Sequence, residues 1–142
     1  MAKVIANMSM SLDGFVADTS DDPAAVFGWF AAGDIETPTA SPGFSFRTSA
    51  ASAAYLREAF AMNGALVCGR KYFDQAGGWS GTHPMGNVSL SVVTHSVPRS
   101  WQPEDSNVTI VTEGVESAVA QAKAVAGDKN VGVATADITS SA

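Results

Sequence analysis

The sequence predicts an α/β domain built on a mainly parallel sheet, and three observations carry that expectation. Stretches that read as strands occur at Ala65–Cys68, an unbroken apolar run, and at Val88–Val93, Val108–Val111 and Val131–Val133. Segments of helical spacing alternate with several of them, over residues 51–63 and 115–126. The connections are long enough for the crossovers that parallel neighbours require. The 142 residues suffice for a single domain, 1–142, with a buried core.

At the start of the chain Val4, Ala6, Met8, Met10 and Leu12 alternate with Ile5, Asn7, Ser9, Ser11 and Asp13. This period of two predicts a strand with one apolar face and one that grows more polar toward its C-terminal end, the end at which open α/β sheets place ligands. Asp13-Gly14 reads as a turn into a loop rich in Asp, Ser and Thr. Asp22 and Pro23 open a short helix through Phe30, with Asp22 as cap and proline in the first turn. Pro38, Pro42 and Gly43 mark the segment from Gly33 to Thr48 as a loop that could cover a site.

A helix from Ala51 to Asn63 carries the apolar stripe Tyr55, Leu56, Ala59, Phe60 and Met62, with Gly64 as its stop. The Ala65–Cys68 strand follows at once, then a helical turn from Arg70 to Gln75 and a loop containing Gly77-Gly78-Trp79-Ser80-Gly81 and Pro84. Pro98, Pro103 and Asp105-Ser106-Asn107 punctuate the connection between the Val88 and Val108 strands. Val115, Ala118, Val119, Ala122, Val125 and Ala126 keep helical spacing, closed by Gly127, and Val131-Gly132-Val133 forms a last strand.

Composition narrows the functional classes. Hydrophobic residues make up 46% and charged residues 15%, which fits a globular domain and excludes a disordered or coiled-coil chain. Eight basic residues against fourteen acidic ones give a formal charge of −6, which argues against a general nucleic-acid surface, so any anion site is local. The lone Cys68 lies inside an apolar run and reads as a small buried hydrophobe. His83 and His95 stand alone, without the clustered ligands of a metal site. Polar residues interrupt the N-terminal apolar positions, so no signal peptide is expected, and the location expected is cytoplasmic.

Two segments could hold a phosphate. In Gly69-Arg70-Lys71-Tyr72 a strand stops at a glycine and two cations follow where a helix opens, which brings free amides and positive charge together. In Thr94-His95-Ser96 another strand ends in two hydroxyls and an imidazole. Solvated charges and an ordinary strand-end turn explain the same residues. Ser9 to Asp13 could hold a flat polar ring. Asp13, Asp34 and Asp74 are conceivable proton donors, with Asp13 the candidate for catalysis, although turn and cap roles suit all three. Trp29 and Trp79 could stack on a ligand or anchor the core. There is no Gly-x-Gly-x-x-Gly after the first strand, no phosphate loop and no nucleophile elbow.

Taken in order, Ser11-Leu12-Asp13-Gly14, Gly64-Ala65 through Gly69-Arg70-Lys71-Tyr72-Phe73-Asp74, Gly77-Gly78-Trp79 and Val92-Val93-Thr94-His95 resemble the dihydrofolate reductase-like family. They are most similar to its branch related to the C-terminal reductase domain of the riboflavin-biosynthesis bifunctional deaminase-reductase. The resemblance covers nearly the whole chain. It implies a three-layer fold with a central mostly parallel sheet, NADPH bound across the strand ends, hydride transfer to a small heterocyclic or carbonyl substrate, and a homodimer. By position it implies Ser9 and Ala17 near the nicotinamide. Gly69, Arg70, Lys71 and Tyr72 would meet the phosphates, and Thr94, His95 and Ser96 the ribose 2′-phosphate, with Thr135 and Ala136 also near the cofactor.

The chain departs from that pattern in three places. Ala134-Thr135-Ala136 stands where the family has a glycine pair that lets backbone approach the pyrophosphate. Phe15 follows Ser-Leu-Asp-Gly where pyrimidine reductases of riboflavin biosynthesis tend to carry lysine. The usual C-terminal helix and strand pair have no counterpart. These departures keep a second reading open, a catalytically silent nucleotide-binding or assembly module of the same fold.

Overall fold

The computed structural model describes residues 2–99 and 106–134. Its centre is a five-stranded sheet of β1 (Val4–Ala6), β4 (Asn63–Gly69), β5 (Ser89–Val93), β6 (Val108–Val111) and β7 (Asn130–Val133), in the order β1-β7-β4-β5-β6. All four neighbouring pairs are parallel, as the alternation of strands and helices predicts. The chain steps outward from β4 through β5 to β6, then returns through α4 (Val115–Ala126) to insert β7 between β4 and β1. This reversal of direction opens a crevice at the carboxyl ends of the strands near β1, β7 and β4.

The sheet separates two apolar layers. On one face Ala65, Val67, Val111, Val131 and Val133 pack against Ala118, Ala122 and Ala126 of α4. Alanine at the three buried positions of the helix lets it lie close to the strands, with Val115 and Val119 packing at the margin. Gly64 completes that fit: a Cβ there would stand 2.8 Å from the Ala126 carbonyl oxygen. Gly64 is therefore a strand residue beneath α4 and does not stop the preceding helix, α2 (Ala50–Met62), whose chain passes straight into β4 at Asn63. On the other face Leu66, Cys68, Leu90, Val92 and Val108 pack with Phe73 of α3 (Arg70–Gln75). Cys68 is fully buried and its thiol is pushed up to about 12 by desolvation, in keeping with a small core hydrophobe.

Two expectations are corrected. The alternation from Val4 to Leu12 forms a strand only over Val4–Ala6. That strand lies at the sheet edge, and Asn7 N–H to the Val133 carbonyl (3.2 Å) is its last bond to β7. Farther on, Met10 and Leu12 are exposed and the chain turns on itself, so the apolar half of the pattern has no inner face to fill. The supposed loop from Gly33 to Thr48 contains an antiparallel hairpin, β2 (Ile35–Pro38) and β3 (Ser45–Thr48). Thr37, Phe46 and Thr48 point inward from it, and two of these three are polar, which hides the inward face from hydropathy.

Thr37 Oγ1 is buried and has no hydrogen-bond partner among the described residues. An isosteric methyl removes the desolvated hydroxyl and suits a strand, so Thr37→Val is expected to raise the unfolding free energy by about 1 kcal/mol in urea titration. A loss of stability would show that the hydroxyl is satisfied by solvent.

Candidate functional site

The register Gly69↔Val93 sets the ends of β4 and β5 side by side, so the residues that follow each strand meet. Arg70 Nη1 donates to the Ser96 carbonyl at 3.4 Å. Thr94 Oγ1 donates to the same carbonyl at 3.1 Å and accepts from the Ser96 N–H at 3.4 Å, which closes a compact turn with His95 exposed within it. The two segments singled out as phosphate-competent are thus neighbours in space.

Their geometry differs from a helix-terminus cradle. The helix begins at Arg70 and has only six residues, so few peptide dipoles align behind its free amides. The side chains must supply most of the field, and both cations already have partners. Arg70 Nε pairs with Asp74 Oδ2 at 2.6 Å, one helical turn on. Lys71 Nζ reaches Asp21 Oδ1 at 2.8 Å, on the loop before α1 (Ala24–Phe27), and so departs from the Arg70–Ser96 cluster.

The remaining candidates fall in different places. Asp13 Oδ1 accepts from Ser11 Oγ at 2.6 Å, while Ser11 Oγ accepts from the Phe15 N–H at 2.9 Å. That carboxylate stabilises an exposed turn, the structural role weighed for it from sequence. Ala17 is half-buried and does not line the cleft described below, whereas Ser9 does. Thr135 and Ala136 lie outside the described residues. Ala134 closes β7 with its N–H on the Val67 carbonyl (2.9 Å) and lines the cleft.

A cleft of about 680 Å³ opens beyond the carboxyl ends of β1 and β7, a volume in the range of small-molecule sites. One wall is aromatic: Trp29 stacks on Phe30 at 4.0 Å, Phe30 on Phe46 at 4.3 Å, and Phe44 meets Phe46 edge-on at 5.3 Å. Ser9 Oγ accepts from Trp29 Nε1 at 3.0 Å and fixes that indole at the end of β1. Across the cleft stand Tyr72, Trp79 and His83, with Trp79 edge-on to Tyr72 at 5.2 Å and to His83 at 4.4 Å. Asn7 Nδ2 donates to the Tyr55 hydroxyl, and both residues also line a smaller hollow of about 230 Å³ beside Ile5 and Gly132.

A left-handed turn positions Trp79 and Ser80. Their φ angles are +49° and +52°, a conformation that costs about 1–2 kcal/mol for each L-residue and concentrates at functional sites. Gly78 precedes them at φ +64°, and a Cβ there would stand 2.9 Å from the Phe73 ring. Only glycine admits both the angle and the contact.

His83 is the residue that sequence reasoning set aside as a lone histidine. It is 6% exposed, and its Nδ1 accepts the Met85 N–H at 3.1 Å, which leaves Nε2–H as its remaining donor. Burial lowers its pKa to about 4, so the ring is neutral. The unfolded chain takes up a proton near pH 6.5 and the native state does so only near 4, so His83 costs stability as the pH falls through that window. The native protein is expected to lose about 2 kcal/mol more than His83→Gln between pH 7.5 and pH 5 in urea titrations. Equal losses would mean that the imidazole is not desolvated. Burial, and secondarily Cys68, pushes the Tyr72 phenol up to about 12, so it too is neutral.

Among the described residues no group of three acidic, histidine or cysteine side chains could hold a metal, and no helix is long and apolar enough to cross a membrane. No family model matches the chain, and no curated protein matches it in sequence. Its fold does match a solved structure, that of a Shewanella sp. PV-4 protein provisionally named for riboflavin biosynthesis. The TM-score is 0.52 and the identity 19%, over 94% of this chain and 64% of the other. The chain thus spans under two thirds of that protein's length, and what the two share is an α/β fold with a central parallel sheet.

Proposed function

We propose that the protein is an NADPH-dependent reductase acting by hydride transfer on a small heterocyclic or carbonyl substrate. The observation that carries this reading is the meeting of Arg70 with the Thr94–Ser96 turn at the strand ends, two residues along the chain from Tyr72, which lines the cleft. Arg70, Thr94 and Ser96 bring a guanidinium, a hydroxyl and a backbone amide into one cluster, donors that a phosphate ester would take over from Asp74, the Ser96 carbonyl and Thr94 Oγ1. Ser9, Ala134 and the aromatic walls fit a flat ring. The cofactor supplies the hydride when bound. The chain's own part is to anchor the phosphate, hold the rings in contact and keep water from them.

Titration with NADPH and with NADH, followed by protein fluorescence, tests the reading: NADPH binds and NADH binds more weakly. Failure of both to bind refutes it. The ion pairs Arg70–Asp74 and Lys71–Asp21 favour the second reading, a silent module whose cations serve structure. Sustained NADPH oxidation with a pterin or pyrimidine excludes that module.

A further inference from the structure

None of the described residues lining the large cleft is a lysine, arginine, aspartate or glutamate. Its histidine is neutral, and the smaller hollow beside it adds only the acidic Glu58. Arg70 and Lys71 do not line the cleft, and each is held by a carboxylate elsewhere. A phosphate or carboxylate carried into this space would lose water and meet no counter-charge, which a desolvated anion cannot tolerate. The walls offer flat faces instead, in the Trp29, Phe30 and Phe46 stack.

One polar group in this apolar setting lacks a partner. His83 is more than nine-tenths buried, and its Nδ1 is committed to the Met85 amide while Trp79 packs against the ring. No residue among those described accepts from Nε2. Among the described residues the buried side-chain atom without a partner is Thr37 Oγ1, so Nε2–H is accessible, and His83 lines the cleft, where a bound molecule can accept from it.

We propose that the cleft selects an uncharged, planar aromatic or heteroaromatic ligand bearing a hydrogen-bond acceptor, and that His83 Nε2–H is the donor that receives it. This deepens the reductase reading and rests on it for the cleft's role as substrate site. It assigns the substrate to a neutral class and sets His83 as a specificity determinant. Phosphate recognition is confined to the cofactor side, at Arg70.

Three probes of similar size test it by quenching of the protein's tryptophan fluorescence: a methoxymethylcoumarin, neutral with a ring carbonyl; methylumbelliferyl phosphate, the same ring as an anion; and methylnaphthalene, neutral without a carbonyl. The native protein is expected to bind the neutral coumarin at least tenfold more tightly than the phosphate ester. His83→Phe, which keeps the ring packing, should weaken the coumarin about tenfold and leave methylnaphthalene unchanged, while His83→Gln should restore part of the loss. Equal or tighter binding of the phosphate ester overturns the proposal, and so does an equal effect of His83→Phe on both neutral probes. The comparison of probes on the native protein decides the charge preference even if His83→Phe does not fold. NADPH titration of the same preparation scores the reductase reading separately: cofactor binding without coumarin binding removes this inference alone.

Discussion

Arg70→Ala is expected to erase the preference for NADPH over NADH, weakening NADPH by about ten- to a hundredfold and leaving NADH nearly unchanged. Charge-assisted hydrogen bonds contribute about 1.5–3 kcal/mol each, and each 1.4 kcal/mol is about a factor of ten in affinity. The effect should fall on NADPH because Arg70 Nη1 already points to the Ser96 carbonyl, within the Thr94–Ser96 turn that the family resemblance would put at the 2′-phosphate. Lys71→Ala should change either affinity much less, since its ammonium sits on Asp21 and the pair is well exposed. Asp74→Asn supplies the opposite sign. That carboxylate neutralises the guanidinium at 2.6 Å, so its loss frees positive charge for a phosphate and should tighten NADPH severalfold. Isothermal titration of the three variants at fixed ionic strength checks the set. Equal losses for NADPH and NADH in Arg70→Ala would mean that Arg70 does not read the 2′-phosphate.

Much of this site was legible because it follows strand ends. The run ending at Gly69 is continuous and apolar, and the one ending at Val93 sets Ser89 and Ser91 among apolar residues, so both strands could be read, and their parallel pairing brings the next residues together without any long-range coincidence. The cleft was not legible in that way. Trp29 and Phe30 come from the 3₁₀ turn after α1, Phe44 and Phe46 from the hairpin, and Trp79 and His83 from a left-handed turn and the loop beyond it. No spacing in the chain encodes their meeting, and Trp29 and Trp79 could be marked only as aromatics suited to stacking.

His83 shows the same limit more sharply. A histidine without ligand-spaced neighbours carries no signal of chemistry in sequence, and what gives it meaning is burial together with the Met85 amide on Nδ1. The hairpin escaped notice for a related reason. Four-residue strands with Thr37 and Thr48 turned inward imitate a polar loop, although Thr48 is fully buried. The N-terminal alternation erred the other way: even Val4–Ala6, paired with β7 at the sheet edge, are exposed, and Met10 and Leu12 lie past the last β7 partner.

Leu66→Ala is expected to cost about 2–5 kcal/mol of stability, because the leucine is 1% exposed at the centre of the sheet and its removal leaves a cavity. Its neighbour on β7, Gly132, makes the prediction specific. The two are paired in register, and a Cβ at Gly132 would stand 2.8 Å from Leu66 Cδ2. Leu66 therefore occupies the space that any larger residue at 132 would need. Gly132→Ala alone should cost about 1–3 kcal/mol through overpacking. Part of that cost is relieved because Leu66 lines the 230 Å³ hollow and can swing its terminal methyl into it. In the double variant the methyl of the new alanine at 132 fills space vacated at 66, so the loss should fall short of the sum of the single losses by about 1 kcal/mol or more. Urea titrations of the native protein and the three variants measure this coupling directly. Additivity within about 0.5 kcal/mol would mean that Leu66 and a side chain at 132 do not compete for the same space.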